Sequence, residues 1–281
     1  MYVRPADLDE ALGWLAGGAR VMAGATDIFP AAGERPLFGD YIDVSNLHSL
    51  RGIRVDAEAV RIGAAATWTD IVAADLPPAF DALKAAAREI GAVQIQNRGT
   101  IAGNLCNASP AADGVPPLLI LDASVELASN RGARRLPLSQ FITGNRRTSL
   151  APDEILTAIV MPAPAPTLRS AFLKLGARRY LVISIVMVAA ALDIVDGIVR
   201  DARIAVGCCS AVAQRIAKAE RRLIGAPAHA GLGEAIEAPD LAALSPIDDV
   251  RATAAYRRDA ALTLVRRAIE TCVRGEAGGV V

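Results

Sequence analysis

Asn97-Arg-Gly-Thr-Ile-Ala-Gly-Asn-Leu-Cys-Asn-Ala-Ser-Pro-Ala-Ala-Asp-Gly-Val-Pro-Pro117 is the stretch around which the chain is organised. Gly99, Ala102, Gly103, Ala108 and Ser109 leave little side chain between the backbone and whatever lies against it. Thr100, Asn104, Asn107 and Ser109 add short hydroxyls and amides, and one carboxylate follows at Asp113. A loop with bare N–H groups and no cluster of Lys or Arg suits a phosphate held by backbone dipoles. Taken alone, the stretch fits equally well a loop that is glycine-rich because it turns often.

Composition narrows the class. The chain has 281 residues, 53% of them hydrophobic, enough for a substantial core and two or three compact units. Thirty basic and thirty acidic residues cancel, and no basic stripe carries interleaved aromatics, which argues against a nucleic-acid partner. The first ten residues lack the apolar region of a signal peptide, and the most apolar run, Tyr180 to Ile194, is too short to span a bilayer. A cytoplasmic location is expected. Cys106, Cys208, Cys209 and Cys272 show no Cys-x-x-Cys spacing, and His48 and His229 sit in no ligand pattern, so no metal site is expected.

In chain order, Asp7 is placed to cap a helix carrying Leu8, Ala11, Leu12 and Leu15 on one face, stopped by Gly17-Gly18. A strand from Ala19 to Ala23, with Val21 and Met22, runs into a second small-residue turn, Gly24-Ala25-Thr26-Asp27. That order puts free N–H groups at the end of a sheet. Asp27 fits equally well as the cap of a short helix through Ile28 and Phe29 that ends before Pro30. Residues 31–40 read as a surface loop, and Tyr41 to Val44 and Gly52 to Ala64 as strands. Helices are expected from Thr67 and from Pro78 to Ile90, the second ending at Gly91. Asp113 is placed to cap another helix through Leu121. Ser124 to Ala128 and Ala133 to Leu138 form a hairpin, and Ile155 to Met161 a further strand.

Pro162-Ala-Pro-Ala-Pro166 is stiff and extended, the best domain boundary in the chain. Beyond it, Ser170 to Leu175, Ile183 to Ile194 and Val199 to Cys208 read as strands, the last two joined at Asp196-Gly197. Helices over Ala211–Ile224, Gly231–Ile236 and Asp249–Arg274 follow. The result is an α+β unit with an antiparallel sheet.

These residues resemble a known family. Ala23-Gly-Ala-Thr-Asp27 is similar to the Ala-Gly-Gly-Thr-Asp segment of the FAD-binding medium subunits of molybdenum hydroxylases, the xanthine dehydrogenase and carbon monoxide dehydrogenase family. Thr100-Ile-Ala-Gly-Asn-Leu-Cys-Asn-Ala-Ser-Pro-Ala-Ala-Asp113 is similar to that family's Thr-Ile-Gly-Gly-Asn…Ser-Pro…Asp segment. Pro152-Asp-Glu-Ile-Leu156 and Phe172-Leu-Lys-Leu-Gly-Ala-Arg-Arg179 extend the likeness across the proline linker. Any one segment is weak evidence; four in the family's order and spacing are strong.

The resemblance implies an α+β flavoprotein: a two-subdomain FAD-binding fold of the vanillyl-alcohol-oxidase (PCMH) type over 1–166, divided near 54 and 55, then an antiparallel sheet with helices over 167–281. It implies that Val21, Met22, Ala23, Gly24, Ala25, Thr26, Asp27 and Ile28 bind the cofactor with Gly99, Thr100, Ala102, Gly103, Asn104, Asn107 and Ser109. The two loops would give N–H groups to the pyrophosphate. Asp113 would accept from a ribose hydroxyl, Ile90 would pack near the adenine, and Leu156 and Lys174 would approach the flavin. The Arg178–Ile183 loop would lie near the isoalloxazine. From spacing alone Lys174 fits equally well as a surface lysine at a strand edge.

The same resemblance implies two partners: a small iron–sulfur subunit and a large subunit with the molybdenum cofactor. Electrons would cross FAD to NAD, oxygen or a quinone-linked acceptor. No Ser/His/Asp set, nucleophilic Cys–His pair or paired carboxylates stands out, which fits a relay in which the flavin carries the redox chemistry. Three places depart from the family: Ala25 and Ala102 stand where it has Gly, and Tyr180-Leu-Val-Ile183 stands where it often carries an Asp after the arginines. A left-handed φ at either alanine costs about 1 kcal/mol or more, and Ala102, mid-loop, is the expected weak point.

Overall fold

A computed structural model of the chain describes residues 1–275. Its contacts resolve two compact units. The first comprises Met1–Ala74, Ala92–Ala108 and Ala123–Ala163; the second comprises Asp75–Gly91, Ser109–Asp122 and the chain from Pro164 onward.

The first unit opens with a parallel three-stranded sheet, ordered Tyr2–Val3, Tyr41–Asp43, Arg20–Met22. The Leu8–Ala16 helix makes the crossover between the two outer strands, and the Asp7 carboxylate caps it by accepting from Glu10 N. Its Ala11, Leu12 and Leu15 bury against Ala19, Ile42, Val44 and Leu50, as the apolar spacing requires. A five-stranded antiparallel sheet follows in the order Ile53–Val55, Ala59–Gly63, Ile155–Pro162, Ser124–Ser129, Gly132–Pro137. Ile155–Pro162 lies in its middle and is buried from Ile155 to Met161 except at half-buried Thr157.

The second unit is built on an antiparallel sheet ordered Leu168–Leu175, Val186–Val195, Ile198–Gly207, Gln214–Arg215. Asp196 and Gly197, with φ of 52° and 72°, make the tight turn that their sequence signalled. The 21-residue Ala254–Arg274 helix packs on the first two strands, while Asp81–Glu89 and Val115–Ile120 pack against the same sheet. A sheet flanked by helices needs no polar face, which is why Val186 to Leu192 is buried without a break.

The structure revises several local expectations. Asn97–Pro117 is not one loop: Ile101–Asn107 is a helix, capped by the Thr100 hydroxyl accepting from Gly103 N, and Val115–Ile120 is another. Asp113 caps nothing, because its carboxylate is spent on Lys174 and Ser184. The Ile28–Ala32 helix continues through Pro30, whose missing N–H is harmless in a first turn, and Asp27 makes no side-chain cap to it. The expected Ala211–Ile224 helix is Ala217–Leu223 preceded by the short strand Gln214–Arg215, since Arg215 is drawn to Asp122 and Glu220. Leu232–Ala235 is a 3-10 turn rather than a helix, and the last helix starts at Ala254 under a Thr253 cap.

Candidate functional site

Strand Arg20–Met22 delivers the chain into Ala23-Gly24-Ala25-Thr26-Asp27, which turns directly into Ile28–Ala32. The backbone N–H groups of Gly24, Ala25, Thr26, Asp27 and Ile28 meet no acceptor among the described residues. Five consecutive donors left open at the end of a sheet form a concavity suited to anionic oxygens. Ala25 holds φ 57°, in the left-handed region.

The second small-residue segment closes on this turn. A Cβ at Gly24 would lie 2.5 Å from the Arg98 carbonyl carbon and nearer still to its oxygen, so only glycine permits the approach. A Cβ at Gly99 would meet Ile95 O at 3.0 Å, the Trp68 ring at 3.3 Å and Thr26 Oγ1 at 3.5 Å. Trp68 is itself buried packing. Gly103 sits beneath its own cap, where a Cβ would come 2.9 Å from Thr100 Oγ1. Ala102 is helical and buried, with its N–H on Ala64 O at 3.4 Å. The expected weak point at Ala102 is therefore corrected: the left-handed backbone falls on Ala25 instead.

Asn107 does not face a ligand freely. Its Nδ2 donates to Asp27 Oδ1 at 2.9 Å, and its Oδ1 accepts from the Arg146 guanidinium. It ties the two segments together. Asn104 presents the opposite case, a buried Oδ1 with no hydrogen-bond partner among the described residues. Burying such an acceptor costs about 1–3 kcal/mol unless something donates to it. Val21, half-buried, and Met22, buried, belong to the strand, and Leu156 is buried on the central strand of the larger sheet. Asp27, Ile28, Asn107 and Arg146 also line an open cavity of about 420 Å³ with Arg20, Arg35 and Tyr41.

The remaining expected residues, Ile90, Ser109, Asp113 and Lys174, lie in the second unit. Lys174 is buried rather than a surface lysine: its Nζ sits 2.7 Å from Asp113 Oδ2, with 5% and 9% of the two side chains exposed. Nζ also donates to Glu89 O at 3.4 Å, and Ser184 Oγ donates to Asp113 Oδ1 at 2.6 Å. Burial raises the Asp113 carboxyl above the ordinary carboxylate range, while the Lys174 charge and both hydrogen bonds pull it down. Burial likewise raises Glu89, against the pull of Lys174. Ile90 ends the Asp81–Glu89 helix ahead of Gly91, which is left-handed at φ 59°. Ser109 Oγ accepts from Ala111 N at 3.2 Å and closes a turn.

Sequence reasoning missed Arg146 and Ser184. Arg146 follows Gly144-Asn145, which marks a turn but not where its side chain goes. Ser184 follows an exposed loop and carries no local pattern.

The chemistry of this donor set fits a dinucleotide. A pyrophosphate can take several neutral N–H donors in place of a lysine, and the open Asn104 Oδ1 can accept from a hydroxyl or amide of the same ligand. No cluster of three or more His, Cys, Asp or Glu able to hold a metal occurs among the described residues.

Comparison with known proteins agrees with this chemistry. Residues 1–164 match the family described as the FAD binding domain in molybdopterin dehydrogenase, and residues 171–272 match the CO dehydrogenase flavoprotein C-terminal domain. The chain is 33% identical to the xanthine dehydrogenase FAD-binding subunit of Escherichia coli O157:H7, covering 99% of this chain and 97% of that one. It is 37% identical to the nicotinate dehydrogenase FAD-subunit of Eubacterium barkeri over 74% of this chain and 72% of that protein. Among solved structures, a chain of reconstituted CO dehydrogenase from Oligotropha carboxidovorans superposes with a TM-score of 0.90 at 26% identity, covering 98% of this chain and 97% of the other.

Proposed function

Because the chain belongs to the FAD-binding subunits of the molybdenum hydroxylase family, an oxidoreductase family, we propose that it is the electron-transfer flavoprotein of a heteromeric dehydrogenase. Its partners would be a small subunit with iron–sulfur clusters and a large subunit with the molybdenum cofactor. Bound FAD supplies the redox chemistry that lets electrons from those clusters leave to an external acceptor. The chain's own residues bind and orient. The open N–H groups from Gly24 to Ile28 would hold the pyrophosphate, with Thr26, Gly99, Thr100 and Gly103 shaping the cradle around it. Asn104 Oδ1 would accept from the cofactor. Ile90, Ser109, Asp113, Leu156 and Lys174 keep the binding roles that the resemblance implies. The division at 166, with subdomains meeting near 54 and 55, is likewise part of this proposal.

The observation that carries the reading is the row of five acceptor-less N–H groups closed against Arg98. No helix among the described residues is long and apolar enough to cross a membrane. The cytoplasmic location expected from the sequence is kept as part of this proposal. The test has two arms. The purified chain, titrated with FAD, is expected to bind saturably and show a flavin spectrum; no saturable binding leaves an assembly protein with decayed loops. With FAD bound, it is expected to show no substrate-dependent flavin reduction unless the partner subunits are added. Reduction by the isolated chain would make it a free-standing flavin oxidoreductase instead.

A further inference from the structure

The expected site residue Asn107 is the middle member of a three-residue chain that no loop motif contains. Asn107 ends the Ile101–Asn107 helix, and Ala108 after it is left-handed at φ 47°. Opposite lies the turn between the short strands Ile142–Gly144 and Arg147–Thr148. Its Arg146 is also left-handed, at φ 56°, and donates its backbone N–H to Ala108 O at 2.9 Å. This places the guanidinium beside the helix C-terminus, where a cation is favoured, and there it donates to Asn107 Oδ1.

That contact decides which way Asn107 points. With Oδ1 facing a guanidinium, which can only donate, the amide must present Nδ2 on its other side. Nδ2 then donates to Asp27 Oδ1 at 2.9 Å. Asp27 lies two residues after left-handed Ala25 and within the row of open N–H groups. A turn with a left-handed residue and open N–H groups, anchored by its carbonyls only to the helix that follows, depends on its surroundings to hold its shape. Arg146 forms no ion pair among the described residues, and its guanidinium donates to Asn107 Oδ1 instead.

We propose that Arg146 is a positioning residue for the cofactor: through Asn107 and Asp27 it sets the Gly24–Ile28 turn in its anion-binding shape before the ligand arrives. The inference rests on the reading of that turn as the pyrophosphate cradle. It gives a residue outside the loop motifs a share in affinity without any contact to the ligand.

The test is FAD titration of the purified full chain, followed by flavin fluorescence, with thermal melts of each apo variant. Arg146→Gly removes the side chain but suits φ 56°, so the fold is retained. About a tenfold weakening of FAD binding is expected, equivalent to about 1.4 kcal/mol. Asn107→Ala should weaken binding similarly. The Arg146→Gly/Asn107→Ala double variant should be no weaker than the worse single, because both cut one chain. Arg146→Lys, which keeps a donor cation, should recover part of the loss, and Arg221→Ala, at an exposed position of the second unit, should bind like the parent. Parental affinity in Arg146→Gly, or strictly additive losses in the double variant, overturns the proposal. If the parent chain itself fails to bind FAD, the cradle reading fails first and this inference falls with it.

Discussion

Gly24 and Ala25 are neighbours under opposite constraints. Gly24 needs no unusual φ but has no room for a methyl against the Arg98 carbonyl, whereas Ala25 has room for its methyl but holds φ 57°. Gly24→Ala must therefore push the two segments apart. It is expected to raise the FAD dissociation constant at least about tenfold, since donors 1 Å out of place lose much of their hydrogen-bond energy. Titration by flavin fluorescence reads this directly. Ala25→Gly relieves the left-handed strain and is expected to raise stability by up to about 1 kcal/mol, a gain of about 2–4 °C in a thermal melt. A lower melting temperature would show that the Ala25 methyl makes packing worth more than the strain. The same comparison leaves Ala102 without backbone strain. It lies inside a helix, where Ala is the best-tolerated residue.

At the level of elements, two ion pairs anchor the four-stranded sheet to what covers it, one buried on both sides and one with a half-buried carboxylate. Lys174 on the edge strand Leu168–Leu175 neutralises Asp113 in the segment leading to Val115–Ile120. Lys174→Met leaves that carboxylate buried without its cation, at a cost of about 3–5 kcal/mol near neutral pH. The sign of the pH dependence follows from the upward shift at Asp113, which grows without the lysine. A carboxyl whose folded pKa lies above its unfolded value loses stability as pH rises through the folded value. The variant's deficit should thus be smaller at about pH 5 than at about pH 7.5. Urea unfolding at both values checks this, and an equal deficit at the two refutes it.

The second pair has the opposite sign. Arg257, 3% exposed, donates to Ile185 O, to Cys208 O at 3.3 Å and to Asp249 Oδ1 at 2.7 Å. Burial pushes Asp249 up, but hydrogen bonds from Arg251 N, Arg257 and Ala252 N outweigh it and hold the carboxyl at about 2. Its contribution is present above the ordinary carboxylate range and is lost as pH falls through about 2. Asp249→Asn should therefore be less stable than the parent at neutral pH, with the gap closing as pH falls toward the Asp249 value in an acid-unfolding series.

Across the whole molecule, the packing units do not follow the order of the chain. Helices Asp81–Glu89 and Val115–Ile120 belong to the unit that contains the C-terminal sheet, and their Leu83, Ala86, Leu118 and Ile120 are fully buried there. A fragment ending at residue 166 would expose these side chains, so it is expected to aggregate or remain partly unfolded, as circular dichroism and size-exclusion chromatography would show. A well-folded monomeric fragment would show that the sheet is dispensable for these helices. The family's division of labour is tested at this scale too. Molybdenum and iron should co-purify with this chain from its native source.

Much of this was legible in the residues because it depends on neighbours in sequence. The cap at Asp7, the helical face of Leu8, Ala11, Leu12 and Leu15 and the Asp196-Gly197 turn are each governed by local sterics and hydrogen bonding. The small-residue turn at 23–28 announced open backbone donors by the same logic, whereas the N–H groups of Gly99 and of Ile101 to Asn104 are taken by Ile95, Ala66, Ala64 and Thr100; the ordered motifs gave the family, the cofactor and the fold class. Left to the tertiary structure were facts about partners distant in the chain. Folding decided that Ile101–Asn107 is a helix, that strain sits at Ala25 and not Ala102, and that Lys174 is buried against Asp113 61 residues away. It also decided that Arg146 reaches Asn107 and, through it, Asp27. Periodicity and turn chemistry are written in consecutive residues. Which side chain meets a given carboxylate or carbonyl is fixed only when packing brings remote segments together.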